Sequence, residues 1–128
     1  MVEKKNDRAE PQAHQHANAD VLTALSKVLA KRKDADPQQS YVASLYQKGL
    51  NKILEKIGEE ATEVILAAKD FSNNDPKSQK DLVGELADLW FHCLILLEHL
   101  EIPLEQCFAE LENRQGLSGH TEKAQRAQ

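Results

Sequence analysis

The chain has 128 residues, a mass of 14.4 kDa and a formal net charge of −5. That size fits one small domain, and the negative charge excludes a nucleic-acid binder working by broad electrostatics. No apolar run suits a signal peptide or a membrane span, since the richest, Leu94–Leu97, is far too short; a cytoplasmic protein without a membrane partner is expected.

Met1–Ala19 is polar, rich in Gln, Ala and His, and lacks apolar periodicity. It reads as a disordered tail, with His14 and His16 solvated within it, ahead of a single domain over 20–128. Asp20 fits the cap of a first helix, Val21 to about Lys33, with Leu22, Leu25, Val28 and Leu29 as its apolar stripe. Asp34-Ala35-Asp36-Pro37 breaks it. Ser40 then caps a helical pattern from Tyr41 to about Lys69, bent near Gly49. Ser72-Asn73-Asn74-Asp75-Pro76 ends that pattern, and another helix is expected from about Ser78 to Leu100. Pro103 fits the first turn of a last helix, to about Gln115, which Gly116-Leu117-Ser118-Gly119 ends. No segment reads as a strand, so the fold class is all-α, a bundle of about five helices. Cys93 and Cys107 sit in apolar helical patterns without CxxC spacing and read as reduced packing thiols.

The chemistry lies in two helical pairs of acids, Glu60-x-x-Glu63 and Glu85-x-x-Asp88. Residues three apart share a helix face, so each pair directs its carboxylates the same way. In the Tyr41–Lys69 pattern, Leu50, Ile53, Leu54, Ile57, Ala61, Val64 and Ala68 form the core stripe. Glu60 lies on its flank beside Glu63 and Lys56, and Glu59 points farther out. In the next helix Leu82, Leu86, Leu89, Cys93, Leu96 and Leu100 line one face. Trp90, Leu94, Ile95 and Leu97 spread apolar surface around much of the rest, as on a helix buried on several sides. Asp81, Glu85, Asp88 and His92 nevertheless form one polar stripe along it. Charges are seldom buried unless paired or metal-bound, which points to a divalent cation and to chemistry on phosphates. The bland alternative is a solvated acidic edge, with Lys52 and Lys56 as surface ion-pair partners. Carboxylate-only ligation favours Mg²⁺, with Mn²⁺ as a substitute. The absence of a paired E-x-x-H motif weakens a di-iron bundle. His92 reads as a packing residue or a hydrogen-bond partner behind the acids, not as a ligand.

Lys56-Ile57-Gly58-Glu59-Glu60-Ala61-Thr62-Glu63-Val64, followed by Glu85-Leu86-Ala87-Asp88-Leu89, resembles the all-α nucleoside-triphosphate pyrophosphohydrolase superfamily. That group includes the MazG proteins and dimeric dUTPases; its signature is E-x-x-E, a short spacer, then E-x-x-D. Within it the chain resembles the phosphoribosyl-ATP pyrophosphatase family of histidine biosynthesis. Ser40-Tyr41, Lys48-Gly49-Leu50-Asn51-Lys52-Ile53 and Ala67-Ala68-Lys69 carry the first half of that likeness. Arg114, Ser118-Gly119, Glu122-Lys123-Ala124 and Arg126 carry the second. The polar extension before Asp20 is outside the pattern. Some members are fused behind a cyclohydrolase domain; nothing here is long enough for one, which implies a monofunctional enzyme.

The resemblance implies hydrolysis of phosphoribosyl-ATP to phosphoribosyl-AMP and pyrophosphate. Glu60, Glu63, Glu85 and Asp88 would hold one or more Mg²⁺. Glu59, or a ligand carboxylate such as Glu60 or Glu63, would orient the attacking water or accept its proton. Lys56, and less directly Lys52, would meet phosphate oxygens. Arg114, Lys123 and Arg126 are candidates for the far phosphates or the phosphoribosyl group. The hairpin acids form half of a closed bundle, so a homodimer or higher oligomer is expected, with sites near the interface. A housekeeping (d)NTP pyrophosphohydrolase would use the same metal site with a different base pocket; the S-G-x-x-E-K tail favours the histidine-pathway reading over it. A non-enzymatic helical interaction module would show no Mg²⁺ dependence and would tolerate Glu60→Gln.

Overall fold

The computed structural model describes residues 11–116 and 126–127. Among these residues there are five α-helices and no strand. α1 (Pro11–Lys31) starts well before the expected cap, so Asp20 lies inside it. Part of the segment read as a disordered tail is therefore helical, while residues 1–10 lie outside the described residues. Proline suits a first helical turn, and the Ala- and Gln-rich stretch behind it contains no breaker. The apolar stripe from Leu22 lies within α1 and does not mark its start.

A short 3-10 turn (Arg32–Asp34) leads into a tight loop at Asp36. The Asp36 carbonyl accepts from the Gln39 and Ser40 amides, and its carboxylate accepts from the Gln38 amide at 2.9 Å. Ser40 then caps α2 (Tyr41–Lys48), its hydroxyl accepting the Ala43 amide at 3.2 Å. The expected bend at Gly49 is a complete break. Gly49 has φ +94°, outside the range of a helical residue, and α3 (Leu50–Lys69) starts immediately after it.

Asp75 caps α4 (Pro76–His99) by accepting the Lys77 amide at 3.0 Å, with Pro76 in the first turn. The helix thus opens slightly earlier than the apolar pattern suggests. Ser78 ties the connecting loop down, accepting the Ser72 amide at 3.0 Å and donating to the Asp75 carbonyl at 2.8 Å. Pro103 is extended and precedes α5 (Leu104–Arg114) instead of lying in its first turn.

The buried core gathers Leu29 of α1, Val42 and Leu45 of α2, Ile53 of α3, Leu94 and Ile95 of α4, and Leu104 of α5. It sits where α3 begins and α4 ends. The Tyr46 hydroxyl donates to the Leu29 carbonyl at 2.9 Å, and Ser26 donates to Glu98 at 2.7 Å, fastening α1 to α2 and α4. α3 and α4 make the most extensive helix pair, an antiparallel hairpin.

Two stripe assignments change. On α3, Ile53 is buried and Ile57 packs on the core, but Leu50 and Leu54 are exposed. On α4, Leu94 and Ile95 enter the core, while Leu100 and Trp90 are exposed. The α4 face turned toward α3 runs Ser78, Asp81, Glu85, Asp88, His92, Ile95, at spacings of three and four residues. Ser78, His92 and Ile95 on it are buried, and a cleft of 490 Å³ between the helices is lined by Ser78, Asp81 and Glu85 with Glu63 and Ala67 of α3. The polar stripe is therefore the hairpin seam, the half-buried Leu82, Leu86 and Leu89 flank it, and Val83 and Trp90 are exposed.

Candidate metal centre

One oxygen from each of Glu60, Glu85 and Asp88 lies within 4.8 Å of the other two. Helical spacing explains this. Glu60 leaves α3 toward the seam, and Glu85 and Asp88 sit one turn apart on the face opposite. Glu60 is only 7% exposed. One carboxylate oxygen of Glu60 and one of Glu85 are buried without any hydrogen-bond partner. Such atoms are costly to bury unless something satisfies them.

Glu63 lies against both. Burial first, then a hydrogen bond with the Glu63 carboxyl, pushes the Glu60 carboxyl above the ordinary carboxylate range. The Glu85 carboxyl is raised first by its hydrogen bond with Glu63, then by desolvation. Carboxylates crowded together in this way repel one another, and a small cation would offset their charge and satisfy the two orphaned oxygens. The all-oxygen donor set fits a hard ion such as Mg²⁺ or Mn²⁺.

Lys56 borders the cluster from α3. Its ammonium donates to Glu59 at 2.8 Å and lies 3.8 Å from Glu60. The Glu59 hydrogen bond, with smaller contributions from Tyr41 and Glu60, raises the Lys56 pKa; the same bond lowers that of the exposed Glu59. Lys52, one turn earlier, pairs with Glu55 at 3.2 Å. Arg114 is on α5, where its Nε donates to Glu110 at 3.0 Å. Arg126 is exposed, and Lys123, with Ser118, Gly119 and Glu122, lies outside the described residues. Of the expected site residues, the fold thus brings together Lys56, Glu59, Glu60, Glu63, Glu85 and Asp88.

His92 is 5% exposed and lies one turn beyond Asp88. Its Nδ1 is 2.7 Å from the Asp88 carbonyl, and its Nε2 is 3.0 Å from the Tyr41 hydroxyl. The expected hydrogen-bond role is present. The Tyr41 partner was not legible, because nothing in a linear sequence signals that the first residue of α2 meets α4.

No described helix is long and apolar enough to cross a membrane. The phosphoribosyl-ATP pyrophosphohydrolase family pattern matches residues 22–115, which contain every acid of the cluster. The phosphoribosyl-ATP pyrophosphatase of Burkholderia multivorans is 54% identical over 107 residues, 84% of this chain and 87% of the relative. That of Burkholderia cenocepacia shows the same identity and coverage. The Burkholderia mallei protein of the same name is 53% identical over 112 residues, 88% of this chain and 90% of its own length. With that match across nearly the whole described fold and its acidic seam, the chain belongs to the phosphoribosyl-ATP pyrophosphohydrolase family.

Proposed function

We infer that this chain hydrolyses phosphoribosyl-ATP to phosphoribosyl-AMP and pyrophosphate, the second step of histidine biosynthesis, in the cytoplasm. The carrying observation is the convergence of Glu60, Glu85 and Asp88, with two buried carboxylate oxygens lacking a partner, in a chain of this family. Glu60, Glu63, Glu85 and Asp88 would hold Mg²⁺, with Mn²⁺ as a substitute. Such an ion would supply electrostatic stabilisation of the charge developing at phosphorus.

The remaining roles fall to the chain's own side chains. Lys56 exchanges its surface partner Glu59 for a phosphate oxygen, and the exchange frees Glu59 to orient the attacking water. Glu63, beside both Glu60 and Glu85, would complete the carboxylate set around the ion. Lys52, Arg114, Lys123 and Arg126 bind phosphates or ribose farther from the reacting bond.

The active form is a homodimer or higher oligomer. Ile65 and Trp90 are 60% and 58% exposed, and an apolar groove between α1 and α4 is lined by Val21, Leu25, Trp90 and Phe91. A second copy would cover such surface and close the bundle around the acids.

The test is pyrophosphate release from phosphoribosyl-ATP with and without Mg²⁺, alongside ATP and dUTP. Selective, Mg²⁺-dependent release is expected. Release from the controls alone would assign a housekeeping nucleotide hydrolase, and no release from any would revive the interaction module. Light scattering at micromolar concentration tests the assembly; a monomer would overturn it.

A further inference from the structure

Tyr41 is an unusual residue to find bonded to a buried histidine. It opens α2 and is 52% exposed, so apolar burial does not hold it. What points inward is its hydroxyl, 3.0 Å from His92 Nε2. The imidazole lies between two fixed groups. The Asp88 carbonyl can only accept, so the 2.7 Å contact places a proton on Nδ1. In the neutral ring, Nε2 then accepts the Tyr41 proton. The rings of Tyr41 and Phe91 stand edge-on to His92, at interplanar angles of 79° and 82°. The imidazole is thereby locked in tautomer and orientation.

The chain of contacts runs from the Ser40 cap through Tyr41 and His92 to the backbone of Asp88, whose carboxylate joins the acidic cluster.

We propose that Tyr41 is a positioning residue of the hydrolytic site, acting through His92 to hold Asp88 in its cation-binding geometry. The proposal rests on the functional reading above for the identity of the reaction, but its physical content is the affinity of the cluster for a divalent ion. Groups that orient ligands from behind typically contribute roughly 10–100-fold in metal affinity or activity.

The experiment is direct Mn²⁺ binding by electron paramagnetic resonance on the metal-free full chain, with kcat and KM for phosphoribosyl-ATP measured on the same samples. Tyr41→Phe keeps the ring and removes the hydroxyl. It should weaken Mn²⁺ binding several-fold and lower kcat more than it raises KM. His92→Asn keeps a donor for the Asp88 carbonyl and loses the Tyr41 acceptor, so it should match Tyr41→Phe. The double variant should be no worse than His92→Asn alone, whereas His92→Phe, which loses both bonds, should fall roughly 10–100-fold.

Mn²⁺ binding at the unmutated level in Tyr41→Phe overturns the proposal, even if its Tm falls. A change confined to KM also overturns it, by making Tyr41 a direct substrate contact. If the unmutated chain binds Mn²⁺ but does not turn over phosphoribosyl-ATP, the functional reading fails while the relay stands on the binding data. If the unmutated chain binds no Mn²⁺, both fail.

Discussion

The two ends of the α3–α4 hairpin are built differently. At the end where α3 starts and α4 finishes, Ile53, Leu94 and Ile95 are buried by α1, α2 and α5. At the loop end, Ile65, Leu66 and Val83 are exposed, and the seam is a cleft lined by carboxylates. The acids sit where intrachain packing stops. One end therefore holds the fold, and its rigidity lets the other carry charges that repel one another.

The largest effect expected from this division is on turnover. Glu60→Gln or Asp88→Asn should lower kcat/KM for phosphoribosyl-ATP by orders of magnitude with an unchanged circular dichroism spectrum. Near-normal turnover in Mg²⁺ would remove either residue from the metal centre.

The two ends should next separate in stability. Ile53→Ala or Ile95→Ala should cost about 2–5 kcal/mol in denaturant unfolding, since each leaves a cavity in the closed end. Ile65→Ala or Val83→Ala should stay within roughly 0.5 kcal/mol for the isolated chain. If a second copy covers the open end, these variants should weaken association instead, seen as a concentration-dependent Tm.

A smaller effect is expected at the break between α2 and α3. Gly49 has φ +94° and ψ −173°, and a Cβ there would meet nothing within 4 Å. Gly49→Ala should therefore cost about 1–3 kcal/mol through backbone strain alone. An unchanged denaturation midpoint would refute the strain.

The smallest effect concerns pH. The Glu60 and Glu85 carboxyls titrate above their usual value of 4.5 in the fold, so the folded state holds protons more tightly than the unfolded chain. Their contribution is complete below that value and is lost as pH rises through the folded pKa values. In EDTA, the Tm of Glu60→Gln relative to the unmutated chain should therefore grow as pH rises above 4.5. Saturating Mg²⁺ should reverse the trend by replacing the proton. A Tm difference independent of pH would show that the acids are not coupled.

Much of this was legible in sequence because it is local. Ser40 caps, Pro76 and Gly49 punctuate, and E-x-x-E and E-x-x-D each fix one helix face without reference to the rest of the fold. What escaped was relational. On α4 apolar residues lie nearly all round, so periodicity could not say which side meets α3; the polar stripe won because the core end fixes the rotation through Leu94 and Ile95. The start of α1 was missed because propensity, not amphipathicity, extends it to Pro11. Tyr41 was missed because its partner lies 51 positions away.

The confinement of the acidic cluster to two consecutive helices has a kinetic meaning. Its geometry depends on one hairpin register, the most local tertiary arrangement a helical chain can make, and local pairings form early. The carboxylates are brought together before α5 can contribute Leu104 to the core. During synthesis α1 and α2 are already available to pack on the hairpin's closed end, and only the Leu104 contact of α5 lags behind the charge repulsion in the seam. A cation caught in the seam at that moment would act as a folding partner before it served any chemistry.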